Sequence, residues 1–400
     1  MGTTLAIDGG TPVREGMLPY GRQWVDESDV QAVVAVLRSD WLTTGPKVEE
    51  FERALAELVG VENAVAVSSG TAALHTVTYA IGIGPGDEVI VPPITFAASA
   101  NCVVFQGGKP VFADVDPDTL LLDPAQVEAK ITPRTKAVIA VDYAGQPCDY
   151  DALRAIADRH RLILVADACH ALGGSYKERP VGSLADLSVF SFHPVKHITT
   201  GEGGMITTND PELARRMRVF RNHGITTDHR QREQQGSWFY EMVDLGYNYR
   251  LTDIQCALGM SQLRKLSAWV ARRQQIARRY DTAFAEVPAV KPLGVREEVS
   301  HAYHLYVIRL NTARLGATRS EVFAVLRAEG IGVNVHYIPV HLQPFYRERL
   351  GTEPGLCPVA EAAYEQFITL PIFPRMSDDD VDDVVRAVHK IAGAFTRPTG

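Results

Sequence analysis

Ser191-Phe192-His193-Pro194-Val195-Lys196-His197-Ile198-Thr199-Thr200-Gly201-Glu202-Gly203-Gly204 decides how this 400-residue chain is read. Two short apolar runs, 189–192 and 204–207, flank it and read as strands. Between them one lysine, Lys196, stands among a hydroxyl (Ser191), two histidines (His193 and His197) and a glycine-rich turn. Upstream, runs 64–67, 88–91, 110–112, 137–141 and 162–165 read as further buried strands. Helical spacing separates several of them, from Asp29, over 46–59, from Ala72 and over 150–159. Such alternation implies an α/β fold with a mostly parallel sheet covered on both faces.

Residues 1–25 read as an irregular N-terminal segment and 26–270 as a large domain. A polar stretch, 224–242, is a candidate mobile lid, and a long helical region follows at about 252–285. The pattern changes after 288–292. Residues 304–310 alternate as a strand, 319–329 are amphipathic, 331–338 look strand-like and 378–395 helical, giving a smaller α+β domain over 271–400.

Composition narrows the function. A formal charge of −8 with no long basic run excludes nucleic acid as a main partner. None of the five cysteines forms a CxxC pair, which implies a reduced, cytoplasmic setting. The N-terminus has no signal-peptide pattern. The most apolar stretch, 89–105, is broken by Pro92-Pro93 and carries Thr95, Ser99 and Asn101, so no membrane span is expected.

The chemistry gathers around Lys196. Ser69-Gly70-Thr71 follows a strand and opens a helix, where backbone N–H groups suit a phosphate. Ser191 offers a hydroxyl to the same group. Asp167 ends an apolar strand, the edge at which open α/β sheets place ligand groups. An amine, a carboxylate and a phosphate cradle are what a pyridoxal phosphate (PLP) enzyme needs. His170 is placed to bond the ring's phenolic oxygen, and Phe96 to stack on the ring. Read singly, each has a plainer use: a turn glycine, a capping aspartate, a packed histidine, a core phenylalanine. A histidine and tyrosine set in the C-terminal part (His301, His304, His336, His341, Tyr303, Tyr306, Tyr337) lacks the carboxylates or thiolates of a zinc site. No metal is expected; neutral donors and aromatics suit a sugar.

Together these segments resemble the DegT/StrS family of PLP-dependent sugar aminotransferases over nearly the whole chain. The matching pieces are Leu18-Pro19-Tyr20-Gly21-Arg22-Gln23, Leu42-Thr43-Thr44-Gly45-Pro46, Ser68-Ser69-Gly70-Thr71-Ala72-Ala73-Leu74, 190–204, 246–255 and His336-Tyr337-Ile338-Pro339-Val340-His341. The resemblance implies the fold-type I, aspartate-aminotransferase-like architecture with a seven-stranded sheet. It also implies a homodimer with shared active sites. Lys196 is then the Schiff-base lysine and general acid/base, and Asp167 the partner of the pyridine nitrogen. Phe96 covers the ring, and Gly70, Thr71 and Ser191 hold the phosphate, with Asn248 reaching in from the partner subunit. Tyr20, Thr44, His193, Arg250, His304, His336 and Tyr337 are the implied substrate contacts. Many relatives carry glutamine where His170 stands.

The implied reaction moves an amino group from L-glutamate to C4 of a nucleotide-linked 4-keto-6-deoxy sugar, UDP-linked and of the pseudaminic acid type. The cofactor cycles through pyridoxamine phosphate. Alternatives are a GDP or dTDP sugar, amination at C3, or the dehydration run by family members with His-His-Ile-Thr. Here that context reads Lys196-His197-Ile198-Thr199, which favours transamination.

Overall fold

A computed structural model describes residues 4–395; residues 1–3 and 396–400, the outer ends of the segments 1–25 and 271–400, lie outside the described residues. Seven strands form the central sheet: β1 (Asn63–Val67), β2 (Glu88–Val91), β3 (Lys109–Phe112), β4 (Thr135–Val141), β5 (Ile163–Asp167), β6 (Leu187–Ser191) and β7 (Gly204–Thr208). Their spatial order is β1-β7-β6-β5-β4-β2-β3. β7 is antiparallel to both neighbours, and every other pairing is parallel. Val65, Val67, Val89, Val91, Val165 and Val189 are all fully buried. Burial on both faces explains why these strands read as unbroken apolar runs. The sheet is the mostly parallel one that the sequence implies.

Helix Pro46–Val59 shows how local and distant signals combine. Pro46 opens it, and Phe51, Leu55 and Val59 bury one face. Each such side chain contributes roughly 1.5–3 kcal/mol of burial. The helix start is completed from far along the chain. The buried Asp253 carboxylate accepts from Gly45 N at 2.7 Å and Lys47 N at 2.9 Å. Thr252, not Asp253, caps its own helix, Asp253–Leu263, in a capping box with Gln255.

The helical region 252–285 is two helices, Asp253–Leu263 and Leu266–Phe284. The break is held by Lys265, whose Nζ pairs with Asp26 and Asp29 at 2.6 and 2.9 Å. The second helix packs Leu266, Trp269 and Val270 into the core under the large sheet. Its other half, Ile276, Tyr280 and Phe284, enters a second core with helix Asp378–Phe395. That core also covers a three-stranded antiparallel sheet of β8 (Val290–Pro292), β9 (Tyr306–Leu310) and β10 (Phe367–Leu370). Strand-like 331–338 forms no strand. Gly332 N donates to Leu18 O at 2.7 Å, and Asn334 exchanges backbone bonds with Thr369, so only isolated bridges form. Residues 224–242 contain a short helix, His229–Gln234, and a bridge from Ile225 to Met242. No helix among the described residues is long and apolar enough to cross a membrane.

Candidate active site

Strands β2, β4, β5 and β6 run parallel, so their C-terminal ends share one edge of the sheet. A cavity of about 590 Å³ opens there. At the end of β1 the chain turns through Ser69 into helix Gly70–Ala80. Ser69 caps the helix, its Oγ accepting from Ala72 N at 3.0 Å. Gly70 and Thr71 line the cavity at the positive end of the helix, where the first amides have no intrahelical partner. Glycine is required at this turn: a Cβ on Gly70 would stand 2.9 Å from Ser191 Cβ. Ser191, the last residue of β6, thus lies against the same cradle.

Asp167 ends β5 and is buried. Its Oδ2 accepts from Ser99 Oγ at 2.6 Å, and Ser99 Oγ lies 2.7 Å from Thr95 Oγ1. With the Ser99 proton committed to Asp167, Thr95 donates to Ser99. Cys169 N donates to Oδ1 at 3.3 Å. These buried donors hold the carboxylate in one orientation. Sequence reading missed Ser99 and Thr95; two hydroxyls four residues apart in an apolar stretch were the available signal. Phe96 follows directly and is 60% exposed, its ring on the cavity wall 6.0 Å from that of Tyr337.

Lys196 lies in the loop between β6 and β7. Phe192 O accepts from Thr199 Oγ1 and from Thr200 N, both at 3.0 Å, which closes the loop and turns Lys196 toward the cavity. Burial destabilises its ammonium and lowers its pKa; Cys169 and Asp167 act in the opposite sense. His170, His197 and His304 are pushed well below the ordinary histidine value, and His336 to about 3, by burial first and by Lys196 as a further cause. The cavity therefore joins the Lys196 amine and the buried Asp167 side chain with His170, His304 and His336, whose charged forms burial disfavours. His170 Nε2 meets Tyr337 OH at 3.1 Å, and His336 Nδ1 meets Thr369 Oγ1 at 2.9 Å.

Gly70, Thr71, Phe96, Asp167, His170, Ser191 and Lys196 all line this cavity, as do Tyr20, His193, His304, His336 and Tyr337. Thr44 and Arg250 do not. They line a second cavity of about 270 Å³ with Arg215, Arg218, Arg221 and Arg230. Asn248 lies outside both; it is exposed and bridges to Asn222 through the backbone.

The residues present fit PLP. A cradle with no room for a Cβ would take the phosphate, an oriented buried carboxylate would take the ring nitrogen, and an amine of lowered pKa would take the aldehyde carbon. His170 Nδ1, buried without a partner, shows an uncharged polar wall beside them.

Known proteins agree with this geometry. A model of the DegT/DnrJ/EryC1/StrS aminotransferase family matches residues 23–389. The spore coat polysaccharide biosynthesis protein SpsC of Bacillus subtilis is 46% identical over 94% of this chain and 98% of its own length. Among solved structures, the sugar aminotransferase Spr1654 of Streptococcus pneumoniae in its PLP form superposes with a TM-score of 0.89 at 35% identity, covering 95% of this chain and 100% of that one. PseC of Helicobacter pylori, an aminotransferase involved in the biosynthesis of pseudoaminic acid, gives 0.89 at 34% identity, with 95% and 100% covered. With this match over most of its length and the cavity described, the chain belongs to the DegT/DnrJ/EryC1/StrS family and is a PLP-dependent sugar aminotransferase.

Proposed function

We propose that the chain transfers the amino group of L-glutamate to C4 of a UDP-linked 4-keto-6-deoxy sugar of the pseudaminic acid type. The observation that carries this reading is the convergence of Lys196, Asp167 and the Gly70-Thr71 cradle in one cavity. The likeness to PseC supports the sugar type; the nucleotide and the C4 position rest on the resemblance of the motifs.

Bound PLP supplies an electron sink beside the amino carbon and a place to store the amino group. Lys196 Nζ, whose ammonium form burial disfavours, would take the proton from the α-carbon of the amino donor. Asp167 would face the ring nitrogen, with Ser99 and Cys169 each donating to one of its two oxygens. Gly70, Thr71 and Ser191 anchor the phosphate, so that proton moves act on a fixed frame. Phe96, with Tyr337 next to it on the cavity wall, would shield one face of the ring from water. Tyr20, His193 and His336 offer polar side chains to the sugar.

The same reading includes a homodimer. Asn248 is exposed, and in the segment before it Trp238, Met242 and Leu245 are 86%, 66% and 69% exposed. A second copy covering this strip would bury it, with Asn248 completing the cradle of the other subunit.

The test is amination by the PLP-loaded protein of UDP-, GDP- and dTDP-linked 4-keto-6-deoxy sugars, with L-glutamate as donor and the product read by NMR. An amine at C4 of the UDP sugar is expected. Turnover confined to another nucleotide or to C3 replaces the substrate assignment. Absence of any glutamate-driven change in cofactor absorbance overturns the donor.

A further inference from the structure

His304 lies in loop 301–305, which is fixed from three directions. Ala302 N donates to Gly145 O at 2.8 Å and Leu305 N to Ala144 O at 3.1 Å. Arg273, 1% exposed, donates from Nη1 to Tyr303 O at 3.0 Å, Ile372 O at 2.8 Å and His304 O at 3.4 Å. At Gly145, with φ +106°, an added Cβ would lie 2.8 Å from Tyr303 N and 2.9 Å from His304 N. The two loops therefore touch backbone to backbone. The ring held this way ends 3.4 Å from the reactive amine, His304 Nε2 to Lys196 Nζ. It is the one hydrogen bond formed by that amine among the described residues. His304 Nδ1 is buried without a partner.

We propose that His304 is a positioning residue for Lys196: a neutral hydrogen-bond acceptor that holds the amine at the cavity wall while it is free of covalent bonds. The proposal rests on the reading of Lys196 given above, and it moves His304 from the sugar contacts to the lysine. Asp167, Cys169, His170, His197, His336 and Arg273 are the titratable or charged groups that act on this pair, and Tyr20, His193, Glu202 and Tyr337 line the same cavity. Asp167 is the buried acid among them, and each of its oxygens accepts a hydrogen bond, from Ser99 and from Cys169. Burial and the neighbouring Lys196 keep the imidazole uncharged, so it accepts from the amine without repelling its ammonium form.

Two readouts separate positioning from a merely structural role. The first is competitive labelling of Lys196 with trace acetic anhydride in the apoprotein across a pH series, read on the Lys196 peptide by mass spectrometry. Removing an acceptor from an ammonium disfavours its charged form. In His304→Leu the pH of half-labelling should fall by about one pH unit. The second is the single-turnover rate with L-glutamate, which should slow by about 100-fold from loss of aim. His304→Gln, which keeps an acceptor at similar reach, should restore most of both. His304→Asn, polar but too short, should behave like the leucine variant and carries the test if that variant does not fold. Labelling curves that coincide in wild type and the Leu or Asn variant overturn the proposal. So does a raised KM for the sugar with an unchanged glutamate step, which assigns His304 to the sugar. Failure of the wild-type glutamate step would strike the proposed function instead and leave the apoprotein labelling result standing.

Discussion

Two cavities in this molecule received residues expected at one active site, and their chemistry differs. The cavity around Lys196 holds polar groups with unspent capacity. Gly70 and Thr71 line it at a helix N-terminus, where the first backbone amides have no intrahelical partner, and His170 and His304 each keep a buried Nδ1 without a partner. The cavity that holds Thr44 and Arg250 is lined with arginines that are already engaged within the fold. Arg221 bonds Glu52 and Ala66 O, Arg218 bonds Ala64 O, Arg230 pairs with Glu49, and Arg250 bonds Asn222. Buried polar groups left open mark where a ligand is to come, whereas groups closed on one another hold the fold together. Removing a side chain from the first cavity should cost activity, and from the second stability.

The largest expected effect tests the first half of that contrast. Lys196→Ala should lower turnover by about 10⁴-fold and abolish the long-wavelength absorbance of the bound cofactor. Its unfolding midpoint should stay close to that of the wild type, because the amine spends only one weak bond, at 3.4 Å, on the fold. A variant that kept the absorbance and full turnover would remove Lys196 from the chemistry.

Glu52→Gln tests the other half. Glu52 is buried, and its Oε1 accepts from Ala66 N at 2.9 Å and from Arg221 Nη1. Taking the charge from one side leaves Arg221 poorly compensated, and unfolding in urea should show a loss of about 3 kcal/mol. The glutamate step of the protein that remains folded should run at the wild-type rate. A rate loss with intact stability would mean that the two cavities act as one site.

The contrast also explains what could be read in the chain and what could not. Gly70, Asp167 and Lys196 were legible because each sits where a strand ends or a turn closes, and turn chemistry is local. The groups that orient them come from elsewhere. Ser99 is 68 residues from Asp167, and His304 is 108 from Lys196. Nothing in the residues around either one points to its partner. Thr44 and Arg250 were placed by likeness of motif alone, and their own chain folds them into the arginine cavity. The apolar alternation of 331–338 does suit a strand. Its backbone is divided between the N-terminal segment and β10, however, so no continuous ladder forms.

The smallest effect is expected in acid, and its sign follows from burial. His301 and His336 are both held to about 3 by loss of hydration, against roughly 6.5 in an unfolded chain. Below about pH 6.5 the unfolded chain takes up these protons while the folded one refuses them until near pH 3. Stability is therefore full above pH 6.5 and falls as the pH drops toward 3, by about 1.4 kcal/mol per pH unit for each such histidine. His301→Gln should remove one such contribution, so that its urea midpoint falls less steeply than that of the wild type between pH 6 and pH 5. The ion pairs of the arginine cavity behave otherwise, because unfolded-chain carboxylates gain protons mainly below about pH 4.5. Equal slopes for wild type and variant over that interval would show that the early acid loss does not come from the neutral histidines beside the Lys196 cavity, and would erase the difference in pH response between the two regions.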